Sequence, residues 1–132
     1  MSLSAAGARR VAWLLATART ALGVGVLAAP ERVTAGWLGE ANASLPVVVD
    51  LARSLGARDL ALGIATLAAL EDPVLGPRVQ LLCAIVDGVD TAATILARAA
   101  LPRRGVIGTV VIAGVSAGVG VHLSHRLAHG QP

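Results

Sequence analysis

Four stretches of this chain stay apolar long enough to form extended helices, with prolines or charge clusters between them. They cover residues 11–29, 46–70, 77–100 and 105–126, each close to the roughly 20 residues that cross a ~30 Å hydrocarbon core as a helix. Pro30 ends the first, because proline cannot continue the hydrogen-bond ladder. Pro46 suits the first turn of the second, which stops before Glu71-Asp72-Pro73. Pro77 opens the third and Pro102 closes it. Between 31 and 44, Val33, Trp37 and Leu38 suggest a brief interfacial turn of helix, with Trp37 at headgroup level. The connectors are short. The pattern therefore predicts an all-α, integral membrane, up-down-up-down four-helix bundle, with 1–132 as one domain.

Polar positions assign faces to these helices. In the first, Trp13, Ala16, Thr17, Thr20 and Gly23 share a side with Arg19 on its flank, and that side is expected to look inward. The second carries Asp50, Arg53, Arg58 and Asp59 on more than one face, since neighbours in sequence project about 100° apart. It is thus expected to be the inner helix, with Gly56 and Gly63 allowing close approach. The third has the clearest stripe: Gln80, Cys83, Asp87, Asp90, Thr91, Thr94 and Arg98 fall within an arc of about 100°. The fourth is poor in bulk, and Gly114-x-x-x-Gly118 is a small-xxx-small contact pattern.

Composition supports the membrane reading. Hydrophobic residues make up 55% and charged residues 14%, against about 25% charged in soluble domains, and the mean hydropathy is +0.74. Every basic residue is Arg, and Phe and Tyr are absent, a bias expected of a GC-rich bacterial genome. A net charge of +3 would suggest nucleic acid in a soluble chain. These arginines are scattered, several within apolar spans, so nucleic acid is excluded as a partner. The single Cys83 excludes a disulfide framework and a zinc cluster. Arg9 and Arg10 precede an apolar run that is too long for a signal core and contains Arg19, so a retained first span is expected. Arg9, Arg10, Arg78 and Arg126 on one side place the chain in a bacterial cytoplasmic membrane with both termini cytoplasmic.

The chemistry lies in the charges at membrane depth: Arg19, Arg53, Arg58, Asp59, Asp87 and Asp90. Each costs on the order of 3 kcal/mol at the centre of a spanning helix, so partners are required. Asp59 and Asp87 lie about 14 residues either side of residue 73, each about 21 Å along its helix, which brings them to one level. One reading is an ion-pair network that fixes helix register. The other is a polar cavity in which Asp87 and Asp90, one turn apart, share a proton. Asp87, Asp90, Asp59 and Arg58 are then the candidate catalytic residues, with Arg19, Arg53, Thr91 and Cys83 around a substrate. Arg19 is expected to pair with a carboxylate of the second or third helix. No phosphate-binding glycine loop or serine–histidine–aspartate set occurs, and no cofactor or metal is expected. His122, His125 and His129 have metal-binding spacing but sit in a basic tail suited to anionic headgroups.

Arg53-x-x-Gly56-Ala57-Arg58-Asp59-x-x-x-Gly63, with Arg19, Gly23, Pro30, Trp37-Leu38-Gly39 and Val86-Asp87-x-x-Asp90, resembles small four-span membrane proteins of actinobacteria, themselves loosely similar to the DoxX-like group. The resemblance covers about residues 10–100. It implies the four-span topology and the importance of Arg58, Asp59, Asp87 and Asp90, and it implies no settled activity. Three functions follow from the residues. One is acid–base catalysis on a lipophilic substrate, isoprenoid or epoxide-like, entering from the bilayer. Another is a proton- or ion-coupled carrier, oligomeric because four short helices rarely enclose a pathway alone. The last is an assembly protein whose charges only fix packing.

Overall fold

The computed structural model describes residues 4–129. Among them are six helices: α1 Ala5–Ala28, α2 Pro30–Leu38, α3 Glu40–Ala43, α4 Pro46–Ala69, α5 Leu75–Leu96 and α6 Arg103–His129. The chain is all-α. Three of the helices, α1, α5 and α6, are long and apolar enough to cross a membrane. Helix α4 has the same 24-residue length as α1 but carries Asp50, Arg53, Arg58 and Asp59.

Local chemistry sets the helix ends and explains where they depart from the hydropathy pattern. Helix α1 starts well before residue 11 because Ser4 caps it, its hydroxyl oxygen accepting the Gly7 N–H at 3.1 Å. Helix α5 follows a turn at Asp72, whose Oδ1 accepts the N–H groups of Val74 and Leu75, both at 2.8 Å. It stops at Leu96, short of residue 100. There Arg98 turns back to donate to the Ile95 carbonyl at 3.1 Å, which supplies an acceptor group at the helix end with a cation. The connector folds into α2 and α3, hinged at Gly39, whose φ of 83° is a left-handed value that suits glycine.

The four long helices pack as two antiparallel pairs, α1 with α4 and α5 with α6, while α1 also meets α6 and α4 meets α5. The α1–α4 seam is nearly backbone on backbone. A Cβ at Gly23 would fall 2.5 Å from the Leu60 nitrogen and 2.7 Å from the Gly56 carbonyl. One at Gly63 would collide with Thr20 Oγ1 and stand 2.9 Å from the Ala16 carbonyl. On α6 the contact glycines are Gly105, against the Trp37 carbonyl, and Gly120, against Ala84. The Gly114–Gly118 pattern does not make the seam: Gly118 faces open space and Gly114 only grazes Thr91.

Burial runs opposite to that of a water-soluble domain. The interior is built of Ala8, Ala12, Ala16, Ala52 and Ala84, and the only large side chains below 2% exposure among the described residues are Leu123 and Thr94. Leu14, Val89, Ile112 and Val115 are among the exposed apolar side chains, Ile112 at 70%. Small residues at helix contacts with large apolar residues outside is the arrangement that suits lipid hydrocarbon. Trp13 and Thr17, expected on the inner face of the first helix, are exposed. Ala16, Thr20 and Gly23 do face α4 as expected, and Ala8, Ala12 and Val26 complete the inner face, because the seam with α4 selects the smallest residues. At the end near both termini, Ala8, Ala12, Leu70, Leu123 and Leu127 form a packed cluster that closes the assembly.

Two outcomes follow. Gly63→Ala, which puts a methyl into the Thr20–Ala16 contact, should lower thermal stability in detergent by about 1–3 kcal/mol, the usual cost of overpacking; Gly118→Ala, with nothing nearby, should melt no lower than wild type. The second concerns Asp72, whose carboxyl is held below its ordinary value of 3.8 by the Leu75 and Val74 backbone donors. A lowered folded value means the cap contributes above about pH 3.8 and is lost as pH falls through that lower value. Amide exchange at Val74 and Leu75 should therefore stay slow at pH 5 and accelerate only below 3.8, whereas Asp72→Ala should exchange fast at both.

Candidate functional site

The α1–α4 seam fixes the height of Arg19. It lies between Gly23, which packs on Gly56 and Leu60, and Ala16, which packs on Gly63, so its side chain emerges at the level of Asp59. Arg19 Nη1 donates to Asp59 Oδ1 at 3.1 Å, and Nη2 straddles both oxygens of Asp87 on α5 at 2.5 and 2.6 Å. Arg58, next to Asp59 on α4, grips Asp90 by two parallel bonds of 3.0 and 2.7 Å, the fork geometry specific to a guanidinium and a carboxylate. Its Nη2 also reaches Asp59 Oδ1 at 3.2 Å. The result is one continuous chain, Asp87–Arg19–Asp59–Arg58–Asp90, tying α1, α4 and α5 together.

The expected Arg19–carboxylate pair is present, and Arg19 serves two carboxylates. The expected sharing of a proton between Asp87 and Asp90 is not the arrangement found. Each of the two is held through both oxygens by its own arginine. Asp59 differs from them. Its Oδ1 bridges the two arginines, and among the described residues its Oδ2 carries no hydrogen bond. Three carboxylates against two guanidiniums also leave the chain one negative charge in excess when all are ionised.

The chain is graded in exposure. The side chains of Arg19, Asp59 and Asp87 are 15%, 14% and 10% exposed, whereas Arg58 and Asp90 are both at 32%. The outer pair joins α4 to α5, so that seam is where the network can be reached from outside. On its inner side lies a cavity of about 780 Å³ lined by all five charged residues and otherwise mostly by apolar side chains from α1, α2, α4, α5 and α6. That volume is within the range of small-molecule sites.

The other sequence-selected residues divide. Cys83 is buried and lines the cavity, its Sγ 3.4 Å from Thr66 Oγ1. Arg53 is exposed on α4 and not part of the wall; a straight helix cannot turn it inward with Arg58 while Ala52 and Gly56 fill the α1 seam. Thr91 lies outside the wall too: it donates to the Asp87 carbonyl at 2.8 Å and faces Gly114 of α6. His122, His125 and His129 are exposed; the last two stack at 4.3 Å, and no cluster of metal-ligating side chains occurs among the described residues. Sequence reasoning missed α2 as a wall of the cavity. Trp37, expected at headgroup level, lines it with Val33, Thr34 and Leu38. The one signal was Gly105, which must be glycine because the Trp37 carbonyl occupies the place of its Cβ.

Compared with family models, with curated proteins and with solved structures, the chain matches none.

Removing one member of a buried pair leaves its partner's charge stranded, which costs about 3–5 kcal/mol. Arg19→Leu strands Asp87 and loosens Asp59, so it should lose that much in a denaturation series in detergent. Arg53→Leu should change stability by less than about 0.5 kcal/mol, the usual scale for surface positions. Equal losses from both would mean that Arg53 is as firmly paired as Arg19.

Proposed function

We propose that this is a multi-pass protein of the bacterial cytoplasmic membrane. Its four long helices admit a lipophilic small molecule, isoprenoid- or epoxide-like, to acid–base chemistry at the arginine–aspartate chain. The observation that carries this reading is the apolar cavity of about 780 Å³ with Asp59, Arg58 and Asp90 on its wall. A network serving only to fix packing would need no empty volume beside it.

Membrane insertion is supported by the outward apolar side chains and by the fate of the α4 charges. Arg58 and Asp59 are neutralised within the protein, while Asp50 and Arg53 lie in the first turns of α4 and remain exposed, where an arginine stem can snorkel toward the interface. With four crossings, both termini lie on one side, and the positive-inside rule makes that side cytoplasmic. The likeness of the α4 motif to DoxX-like proteins belongs to the same proposal.

Asp59 is the base best placed to act. Among the described residues its Oδ2 has no hydrogen-bond partner, while Oδ1 is anchored by two guanidiniums, an arrangement that orients the carboxylate without occupying it. For an epoxide, Asp59 takes a proton from water as the water oxygen attacks a ring carbon. The C–O bond opens and Asp59 returns the proton to the oxygen released. Water is the only co-reactant. Arg58, whose guanidinium lies on the same wall with its side chain 32% exposed, offers a cation to the negative charge developing on that oxygen.

A panel of isoprenoid epoxides incubated with the protein in nanodiscs tests this, with product diols read by mass spectrometry. Asp59→Asn should slow hydration at least about 100-fold, the lower range for a lost general base, while melting near wild type. If no epoxide is hydrated, or Asp59→Asn hydrates as fast, the network is structural and the catalytic reading fails.

A further inference from the structure

The cavity holds a second polar station apart from the charges. Five of the chain's seven threonines, Thr17, Thr20, Thr34, Thr66 and Thr91, turn the hydroxyl back onto the carbonyl four residues earlier. That bond is within reach of any threonine inside a helix. Thr94 declines it, although the Asp90 carbonyl lies four residues behind. Its Oγ1 is buried without a partner among the described residues, the residue is 2% exposed, and it lines the cavity. A buried hydroxyl left unpaired is destabilising, so the conformation calls for an acceptor or donor that the described residues do not supply.

Trp37 is in the same state. Its indole Nε1–H can only donate; it is buried with no acceptor among the described residues, and Trp37 lies on the same cavity wall. Both belong to one end of the cavity. Thr94 is in the last turn of α5, and the Trp37 carbonyl packs on Gly105 in the first turn of α6. Along α5 the wall runs from Gln80 to Ala97, about 26 Å. A wall of that length suits an extended hydrocarbon chain.

We infer that Trp37 Nε1–H and Thr94 Oγ1–H bind the carbonyl oxygen of a single-chain lipophile. Two donors and no charge at this station suit a neutral acceptor with two lone pairs. The carbonyl sits one helical turn, about 6 Å, beyond the level of Asp90, with the chain threading past the arginine–aspartate network toward Thr66 and Gln80. This rests on the reading of the cavity as a lipophile site and adds the functional group that the ligand must carry.

The test uses the full chain in nanodiscs with Trp13→Phe, which leaves Trp37 as the sole indole. A long-chain methyl ketone is titrated against Trp37 emission, and the alkane of equal length is scored by competition. The ketone should bind at least about tenfold tighter than the alkane. Thr94→Val should weaken the ketone about fivefold, the scale of one hydrogen bond, leave the alkane unchanged and melt no lower than its parent. Thr94→Ser should restore the preference. Equal binding of ketone and alkane, or a preference that survives Thr94→Val, overturns the carbonyl station while the lipophile cavity stands. A Thr94→Val chain that melts lower makes the hydroxyl structural and also overturns it. If neither probe binds the folded parent, the cavity reading itself falls, and this inference with it.

Discussion

The structure depends on satisfying arginine and aspartate in surroundings that offer them almost nothing else. Arg19 bonds to Asp59 of α4 and Asp87 of α5 at once, so one guanidinium sets the relative height of three helices. Few alternatives are open to it. The neighbouring side chains are alanine, leucine and glycine, and a register shift by one turn would leave at least one charge facing them. Buried ion pairs contribute little net stability but exclude wrong arrangements. Here the excluded arrangements are slipped registers of α1 on α4 and of α4 on α5.

Glycine makes that pairing reachable. Gly23, Gly56 and Gly63 bring the α1 and α4 backbones into contact, which shortens the span that Arg19 has to bridge. The α5–α6 pair is drawn together separately at Ala84 and Gly120. Because each pair is internally tight, α4 and α5 are left to meet through side chains, chiefly the Arg58–Asp90 bridge. The cavity is the consequence of this division. Two close-packed pairs joined by ion pairs leave space between them, and α2 closes one end of it.

The same arrangement separates the roles of three aspartates that look alike in sequence. Asp87 and Asp90 have both oxygens committed to guanidiniums, so they serve as anchors. Asp59 is committed through one oxygen only. Its neighbour Arg58 has a guanidinium divided between two carboxylates and an Nε–H with none. The atoms left unpaired among the described residues thus lie at the middle of the chain, between the two anchored ends.

By itself, the sequence determined the helices and the depth of the charges. Proline positions and apolar run length locate the four long helices to within a few residues, apart from the capped start of α1 and the early stop of α5. Equal distances from the α4–α5 turn put Asp59 and Asp87 at one level, since rise per residue is constant. The polar stripe of α5 also marked Gln80, Cys83, Asp87, Asp90 and Thr94, all of which line the cavity. Tertiary structure decided the rest. Periodicity gives the direction of a side chain around its own helix but not which neighbour stands there, so it could not tell that Arg53 stays outside while Arg58 turns in. Nor could it assign Arg58 to Asp90 and Arg19 to Asp87. The fold of α2 over the cavity depends on a contact between Trp37 and Gly105, some 70 residues apart in sequence, and no local pattern encodes an encounter of that separation.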